Sequence, residues 1–413
     1  MLNVKTPDEV YEIIKEHFAF FKFEAESVSA AFAAGRVLSS DIISDEDVPG
    51  FNRSTVDGYA VRASDTFGCS EGNPVVLSLT GEVLMGESAQ GDGSFVSLRA
   101  GTCMAVSTGG EIPEGADAAA MVENTEDYGS GMIGFSKPVA PGENVVLRGD
   151  DVSAGTCVLS KGTVLSAHDI GILSALGYFE VFVRKMPVVG IISTGDELVS
   201  VSEKPHAGQV RDINSSMLLA AVNHFGAAGK VFGIIRDDET AISRAMLEAA
   251  ETCDVVLISG GSSAGIRDMT ARVIDTHGEL LLHGIAMKPG KPTILGRVAG
   301  KPIFGLPGHP VAAYLVTELF VRPLIARFMG TSVKRQATAA LLGEALSSNH
   351  GREEYLPVRL TESNDAATLM PTAHPIRSKS ALISSLSGVD GYICIPRDCE
   401  GISKGTQVTV TWF

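Results

Sequence analysis

The spacing of hydrophobic residues changes several times along the chain. At the N terminus it follows a helix, because Thr6-Pro7-Asp8-Glu9 forms a capping box with proline at the first helical position and an apolar face runs from Val10 to Phe18. From about residue 65 to 150, short apolar runs are separated by glycine-rich turns. This second pattern predicts a β-rich region. A helix is predicted again over residues 167–177.

From residue 187 to 330, short apolar runs alternate with amphipathic segments of helical period. The predicted strands are residues 188–193, 230–235, 255–259 and 302–304. The predicted helices are residues 215–225, 239–250, 267–277 and 309–328. This alternation predicts an α/β domain whose mostly parallel sheet is covered on both faces. The helical pattern stops after Gly330, and residues 331–413 predict a small all-β domain.

Length and charge narrow the class of protein. At 413 residues the chain exceeds a single ordinary core, so two to four domains are expected. The net charge of −16 argues against nucleic acid and anionic membranes as partners, although a local cationic pocket can still bind a small anion. The six cysteines are scattered without a CxxC pair, and the N terminus lacks the pattern of a signal peptide. We therefore expect a cytoplasmic protein with neither a zinc motif nor a disulfide framework.

The loops after the predicted strands carry the candidate binding groups. Ligands of open α/β sheets bind beyond the carboxyl ends of the strands. One strand runs into Gly260-Gly261-Ser262-Ser263-Ala264-Gly265, and another runs into Gly305-Leu306-Pro307-Gly308-His309-Pro310. Glycine-rich backbone at a helix start suits a phosphate, but glycines also serve tight turns. Neither loop is a Walker A or a GxGxxG motif.

Lys288-Pro289-Gly290-Lys291-Pro292, the KPGKP loop, places two lysines three residues apart on a restrained backbone. Alone, the motif fits both a rigid binding loop and a solvated basic turn. Together with the glycine loops and His309 it favours binding, because cations and anion-cradling amides would converge on one edge of the sheet.

Several carboxylates follow the same strands: Asp196, Glu197, Asp237, Asp238 and Asp268. Beside a phosphate cradle they would repel an anionic ligand unless a cation mediates, and Mg²⁺ held by one or two carboxylates and phosphate oxygens resolves that conflict. Helix capping is the alternative. We favour capping for Asp238 and a metal or substrate role for Glu197. Upstream, the dense polar and aromatic context of Asp57-Gly58 makes Asp57 a catalytic candidate, although an Asp-Gly pair alone forms a turn.

These segments together resemble the molybdopterin molybdenumtransferase family, which includes the bacterial enzymes that complete molybdenum cofactor synthesis and the E domain of gephyrin. The resemblance covers essentially the whole chain. Its motifs are, in order, Ser54-x-x-Asp57-Gly58-Tyr59-Ala60-Val61, residues 107–117, 142–151, 193–198 and 260–265, KPGKP, and GLPG-x-P at residues 305–310.

The resemblance implies an elongated homodimer with four domains per subunit. A discontinuous linker domain would comprise residues 1–50 and 141–186, with a small β-rich domain at residues 51–140. The α/β molybdopterin-binding domain would comprise residues 187–330, and a C-terminal β-barrel residues 331–413.

The resemblance also implies that the protein inserts molybdate into adenylyl-molybdopterin and releases AMP, with Mg²⁺ as the usual divalent metal. Lys288 and Lys291 would neutralise anionic oxygens, and Glu197, Asp237 and Asp268 would hold metal or substrate. Phosphate or pterin would be held by Gly260, Gly261, Ser262, Ser263, Gly265, Pro289, Gly290, Gly305, Pro307, Gly308 and His309. Asp57, Thr108 and Asp151 would approach from the partner subunit. A molybdopterin adenylyltransferase that supplies the substrate is a further implied partner.

Three departures from the family pattern qualify this transfer of roles. His309 stands where asparagine is common, Ser262 where an apolar residue is frequent, and Gly284 where some members carry a lysine. Rival hypotheses are a tungstate-preferring paralogue, an enzyme of the preceding adenylyl transfer, and a non-catalytic molybdopterin-binding scaffold. The additional domains argue against adenylyl transfer, and the retained charged residues argue against a pure scaffold.

Overall fold

A computed structural model describes residues 4–18, 23–88, 97–260, 264–362, 370–376 and 382–413, with the backbone alone for residues 264–268. The predicted site residues Gly261, Ser262 and Ser263 and the side chain of Asp268 lie outside this description. The chain divides into two compact units, one formed by Met1–Glu26 with Arg184–Phe413 and the other by Ser27–Val183. No helix in the described ranges is long and apolar enough to cross a membrane.

The unit Ser27–Val183 is built around a six-stranded sheet, which confirms the predicted β-rich region. One face of the sheet packs around Val61, Leu77 and Phe135, each at most 3% exposed. The strands are, in spatial order, Ala118–Met121, Gly58–Val61, Thr102–Val106, Val75–Val83, Met132–Phe135 and Thr125–Asp127. Shorter strand pairs are Ile42–Ile43 with Cys157–Leu159 and Arg53–Ser54 with Val145–Val146.

Short helices complete this part of the chain. The α-helix Ala167–Ala175 begins at a capping box between Ser166 and Asp169, so the predicted helix is confirmed with an earlier end. The 3₁₀ helices are Ala30–Phe32, Ala63–Thr66 and Val122–Asn124. The strands Ala25–Ser29 and Glu180–Arg184 pair with each other.

The N-terminal helix Pro7–His17 confirms the predicted capping box. The Thr6 hydroxyl accepts a hydrogen bond from the Glu9 N–H at 3.3 Å, and the Glu9 carboxylate accepts one from the Thr6 N–H at 2.7 Å. Val10 and Ile14 are buried on the apolar face. Capping and burial therefore act together on the helix that the sequence pattern predicted.

The central sheet confirms the predicted α/β domain and adds two strands. Its spatial order is Ala228–Ile235, Val188–Thr194, Val255–Gly260, Lys301–Leu306, Ile294–Val298 and Gly278–His283. The first four strands are parallel, as predicted. The last two strands join the sheet through antiparallel pairings. They were not predicted, because their apolar stretches flank the KPGKP loop and carry no helix between them.

Helices cover this sheet at the predicted places: Asn214–His224, Glu239–Thr252, Ala264–His277, Pro310–Val316 and Arg322–Phe328. The predicted helix 309–328 is interrupted by the π-helical segment Thr317–Val321. In that segment Glu318 is fully buried and pairs with Arg322 at 2.6 Å. The Leu319 carbonyl, four residues before Pro323, which has no N–H, accepts hydrogen bonds from the Tyr11 hydroxyl at 3.0 Å and from Arg335 at 3.3 Å.

The C-terminal part forms a closed barrel of five strands, as predicted. They are, around the barrel, Glu353–Thr361, Thr372–Pro375, Ala337–Leu342, Gln407–Trp412 and Gly391–Ile395, which pairs again with the first. A short strand of the KPGKP region, Met287–Lys288, adds to the strand Glu353–Thr361 in parallel register. Remaining elements are the strand pairs Leu346–Ser347 with Gly401–Ile402 and Leu198–Val199 with Val210–Arg211, and the 3₁₀ helix Ile383–Leu386.

Candidate active site

The KPGKP loop has a fixed backbone. Gly290 has φ +117°, and a Cβ atom there would lie 3.0 Å from both the Met287 sulfur and a Val316 methyl group. The Gly290 carbonyl accepts hydrogen bonds from the Thr293 hydroxyl at 2.7 Å and from the Thr293 N–H at 3.1 Å. Only glycine fits this backbone and space, so the loop holds both lysines on a defined support.

A cavity of about 670 Å³ lies against this loop. Lys288, Lys291 and the His309 imidazole line it, and the barrel adds Arg352, which the sequence analysis did not select. Pro289, Gly290 and Pro307 belong to the same wall. The predicted convergence of the two lysines with His309 is therefore present, and the barrel domain contributes a further basic side chain.

Lys288 already has a partner in this cavity. Its ammonium group lies 2.7 Å from a carboxylate oxygen of Glu354, whose side chain is 6% exposed against 47% for the lysine. The Ser348 hydroxyl donates to the other Glu354 oxygen at 2.7 Å. Lys291 is exposed and has no carboxylate within 4.0 Å in the described ranges. The two lysines of one motif thus stand in different electrostatic settings.

A second cavity, of about 260 Å³, lies where the strands Val188–Thr194 and Val255–Gly260 end. Glu197, Gly260, Gly308 and His309 line it, so His309 borders both cavities. A Cβ atom on Gly260 would lie 1.9 Å from the Thr194 hydroxyl oxygen. The predicted loops are therefore divided between two neighbouring cavities.

Three of the predicted glycines have identifiable places in the structure. Gly305 lies inside the strand Lys301–Leu306, where a Cβ atom would approach the Ile294 side chain to 3.1 Å. The Gly308 carbonyl accepts a hydrogen bond from Asn214 at 2.9 Å. Gly265 lies in the helix Ala264–His277.

Asn214 and Thr194 are residues of the second cavity that the sequence analysis missed. The Asn214 amide nitrogen donates to the Ser259 hydroxyl at 2.6 Å and to the Gly308 carbonyl, which fixes the orientation of the amide because a carbonyl can only accept. Its oxygen is buried and has no hydrogen-bond partner in the described part of the chain, and the same is true of the Thr194 hydroxyl. The polar run Asp212-Ile213-Asn214-Ser215 at a helix start was the available signal.

The predicted metal carboxylates are partly assembled. The Asp196 N–H donates to the Asp237 carboxylate and the Asp237 N–H donates to the Asp196 carboxylate, both at 3.4 Å. Burial raises the pKa of Asp237 above its ordinary value. The negative charges of Asp196 and Glu197 raise it further, whereas the hydrogen bond from the Asp196 N–H lowers it. Within the described residues, no three potential ligand side chains form a ready metal site.

The neighbouring carboxylates have other positions. The Glu197 carboxylate folds back, with an oxygen 2.7 Å from where a Gly195 Cβ would lie. Asp238 caps the helix Glu239–Thr252 by accepting from the Ala241 N–H at 2.8 Å, which confirms the predicted capping role.

Asp57 and Thr108 lie together in the unit Ser27–Val183. One Asp57 oxygen accepts from the Thr108 N–H at 2.7 Å and from its hydroxyl at 3.1 Å, and both residues are exposed. A Cβ atom on Gly58 would lie 1.9 Å from the Ala120 carbonyl oxygen, so the Asp-Gly turn requires its glycine. Asp151 is exposed in a separate turn, held by a bond from its N–H to the Val48 carbonyl at 3.1 Å.

Three family models match consecutive parts of the chain. The MoeA N-terminal region (domain I and II) matches residues 5–177. A probable molybdopterin binding domain matches residues 190–327, and the MoeA C-terminal region (domain IV) matches residues 339–413. The matched regions together span almost the entire sequence.

Individual relatives match over similar lengths. A molybdopterin molybdenumtransferase of Bacillus subtilis is 32% identical over 417 residues, which covers 99% of this chain and 95% of the relative. Molybdopterin molybdenumtransferase 2 of Mycobacterium tuberculosis is 34% identical over 392 residues, or 92% of each chain. The crystal structure of a molybdopterin biosynthesis MoeA protein from Pyrococcus horikoshii superposes with a TM-score of 0.83 at 33% identity over 100% of both chains.

Proposed function

The chain belongs to the MoeA family of molybdopterin molybdenumtransferases, and from that premise we propose that it inserts molybdate into adenylyl-molybdopterin with release of AMP. It is a transferase of molybdenum cofactor biosynthesis. A cytoplasmic location and the supply of substrate by a separate molybdopterin adenylyltransferase belong to the same proposal.

The cavity beside the KPGKP loop is the observation that carries this proposal. Both substrates are anionic, and negative charge must be gathered where molybdate meets the molybdopterin sulfurs and the pyrophosphate link is cleaved. Among the described residues, three basic ones, Lys288, Lys291 and Arg352, line one cavity against a single acidic residue, Glu354, in a chain whose net charge is −16. Charges fixed before the substrate arrives stabilise the developing negative charge without reorganisation during the reaction.

AMP release by the purified protein tests the proposed reaction. Adenylyl-molybdopterin, Mg²⁺ and molybdate should give AMP and active cofactor, and a parallel reaction with tungstate measures the preference between the two oxyanions. Absence of AMP with both oxyanions would refute the enzymatic function and favour a scaffold.

We include Mg²⁺ in the proposal because the Asp196–Asp237 pair suits it. One Asp237 oxygen is buried without a partner in the described part of the chain, and the carboxyl group is destabilised as an anion. Mg²⁺ is commonly held by one or two carboxylates, with substrate phosphates and water completing its shell. Asp196 and Asp237, with Glu197 beside them, would hold the ion, and the ion would supply positive charge next to the pyrophosphate.

Asp237→Asn separates this metal role from a structural one. A carboxyl group whose pKa is raised by folding contributes its full stability below the unfolded pKa and loses that contribution as pH rises through the folded pKa. The variant should therefore be more stable than the wild type at neutral pH, and the difference should shrink as pH falls. Its Mg²⁺-dependent AMP release should drop at least roughly tenfold. Unchanged Mg²⁺ dependence would exclude Asp237 from the metal site.

We propose a homodimer in which Asp57 and Thr108 complete the partner's site. The unit Ser27–Val183 exposes large apolar side chains: Phe32 is 85% exposed, Phe179 79% and Phe182 60%. The Ala30 N–H bonds to the Phe179 carbonyl, which brings the first two of these chain segments together. Exposed aromatic residues of this kind are typical of a surface that another subunit covers.

Mixing two inactive variants tests the shared site. Asp57→Ala and Lys288→Ala should each lose AMP release. When the two folded variants are mixed and exchange subunits, up to about one quarter of the wild-type rate should return. That value follows if half of the dimers are mixed and each has one intact site. An active monomer in light scattering, or no recovery in demonstrably mixed dimers, would contradict the arrangement.

A further inference from the structure

Glu354 is a nearly buried acidic residue in the cavity beside the KPGKP loop, which is also lined by Lys288, Lys291 and Arg352. It lies opposite Lys288 in the parallel pairing between Met287–Lys288 and Glu353–Thr361. Its side chain is 6% exposed, and both of its oxygens have partners, the Lys288 ammonium and the Ser348 hydroxyl. A carboxylate placed here works against anion binding, so its presence needs a reason.

We propose that Glu354 is a positioning residue for Lys288, which it holds in one place while competing with the anionic substrate for the ammonium group. This inference rests on the proposed function and concerns a barrel residue that the KPGKP motif does not contain. Glu354 acts through the lysine and does not itself touch the reacting atoms.

Burial makes the ion pair persistent. A carboxylate removed from water needs a cation and hydrogen bonds to remain charged, and Lys288 is the one cationic group within 4.0 Å of it in the described ranges. The lysine side chain is otherwise long and flexible. Bonded to a buried carboxylate on a barrel strand, its ammonium group is held in place before a substrate arrives, which lowers the entropic cost of the reaction.

The same carboxylate weakens the binding of a simple anion. An oxyanion on the free side of the ammonium group would lie roughly 5–6 Å from Glu354, close enough for like charges to repel at a partly buried site. Removal of the negative charge should therefore strengthen oxyanion binding, while the loss of a fixed lysine should slow the reaction. A purely structural residue would not shift these two quantities in opposite directions.

Glu354→Gln in the full-length protein tests this opposition. Glutamine keeps the size of the side chain and can still accept from Ser348. Calorimetric titration with molybdate alone should show about fivefold tighter binding than in the wild type, and single-turnover AMP release should be about tenfold slower. Weaker or equal molybdate affinity in the folded variant would overturn the proposal.

Glu318→Gln is the matched control, because Glu318 is also buried and paired with a cation, Arg322, but does not line the cavity. We expect its molybdate affinity and AMP release to stay within about twofold of the wild type, since it lies outside the charged cavity. If both variants changed alike, the effect of Glu354 would be general destabilisation and the proposal would fail.

Lys288→Arg provides a second route should Glu354→Gln not fold. Arginine keeps the charge and can bond to Glu354, but places its nitrogens differently. Turnover about tenfold lower in a folded protein supports positioning, and wild-type turnover overturns it. Wild-type AMP release is measured first. Its absence would refute the proposed function but not the role of Glu354, because molybdate titration of Glu354→Gln still tests the competition between the carboxylate and the anion.

Discussion

The two cavities that share His309 differ in how their buried polar groups are satisfied. In the cavity of the KPGKP loop, the buried Glu354 has both oxygens occupied, by Lys288 and Ser348. In the smaller cavity, the Thr194 hydroxyl and the Asn214 amide oxygen are buried without a hydrogen-bond partner in the described part of the chain. One wall is stabilised by its own contacts, and the other carries unfulfilled hydrogen-bonding capacity.

This difference shows which cavity contains buried groups that lower the stability of the fold. Buried polar atoms without partners cost about 1–3 kcal/mol each, so they are rare and concentrate where another group completes them. A ligand with hydrogen-bond donors would complete the Asn214 oxygen, whereas an anionic ligand at Lys288 must bind beside a carboxylate that already holds the ammonium group. Removal of a partner of Glu354 should therefore lower stability, whereas removal of the unpartnered Thr194 hydroxyl should raise it.

The largest effect is expected from Lys288→Ala. The substitution leaves Glu354 buried with only the Ser348 hydroxyl as a described partner, which should lower the free energy of unfolding by about 2 kcal/mol, below the usual value for a buried pair because the lysine is half exposed. Thermal unfolding would show a lower Tm, so loss of activity in this variant has two causes.

The double variant Lys288→Ala with Glu354→Gln separates those causes. Removal of the unpaired Glu354 charge should restore most of the lost stability, while AMP release stays absent because the Lys288 ammonium group is still missing. A double variant as unstable as Lys288→Ala would show that the ion pair does not satisfy Glu354, and the contrast between the cavities would weaken.

Asn214→Ala should have the next largest effect on stability, because it removes the hydrogen bonds that the amide nitrogen donates. The amide nitrogen bonds to the Ser259 hydroxyl and the Gly308 carbonyl, and removal of that donor leaves both acceptors short of a partner. We expect a loss of about 1–2 kcal/mol, measured by chemical unfolding. Ser259→Ala is the milder comparison, because it removes one of the two acceptors and leaves the bond to Gly308. A stable Asn214→Ala protein would contradict the account.

Features set by local chemistry were predictable from the sequence. The capping box at Thr6, the cap at Asp238 and the four parallel strands follow from adjacent residues or from short apolar runs. Each of these depends on residues only a few positions apart.

Features set by distant pairing were not predictable. Glu354 lies 66 positions after Lys288, and only the register between a KPGKP strand and a barrel strand brings them together. The antiparallel strands Gly278–His283 and Ile294–Val298 likewise depend on one another rather than on a local pattern. Arg352, which directly precedes the barrel strand Glu353–Thr361, reaches the cavity for the same reason.

Thr194→Val should give the smallest effect but the most informative sign. Valine has nearly the same shape, and the Thr194 hydroxyl is buried, at 1% residue exposure, without a hydrogen-bond partner in the described part of the chain. Replacement of that hydroxyl by a methyl group should raise the free energy of unfolding by about 1 kcal/mol, because no bond is lost and an unfulfilled polar group is removed. If the hydroxyl donates a hydrogen bond to the substrate, the same variant should show a higher KM for adenylyl-molybdopterin, so that stability rises while binding weakens.

Thr194→Ser is the control, because it keeps the hydroxyl and loses a methyl group. It should have lower stability, with KM near the wild-type value. A destabilised Thr194→Val protein would mean that the hydroxyl already has a partner, and the two cavities would then be satisfied alike.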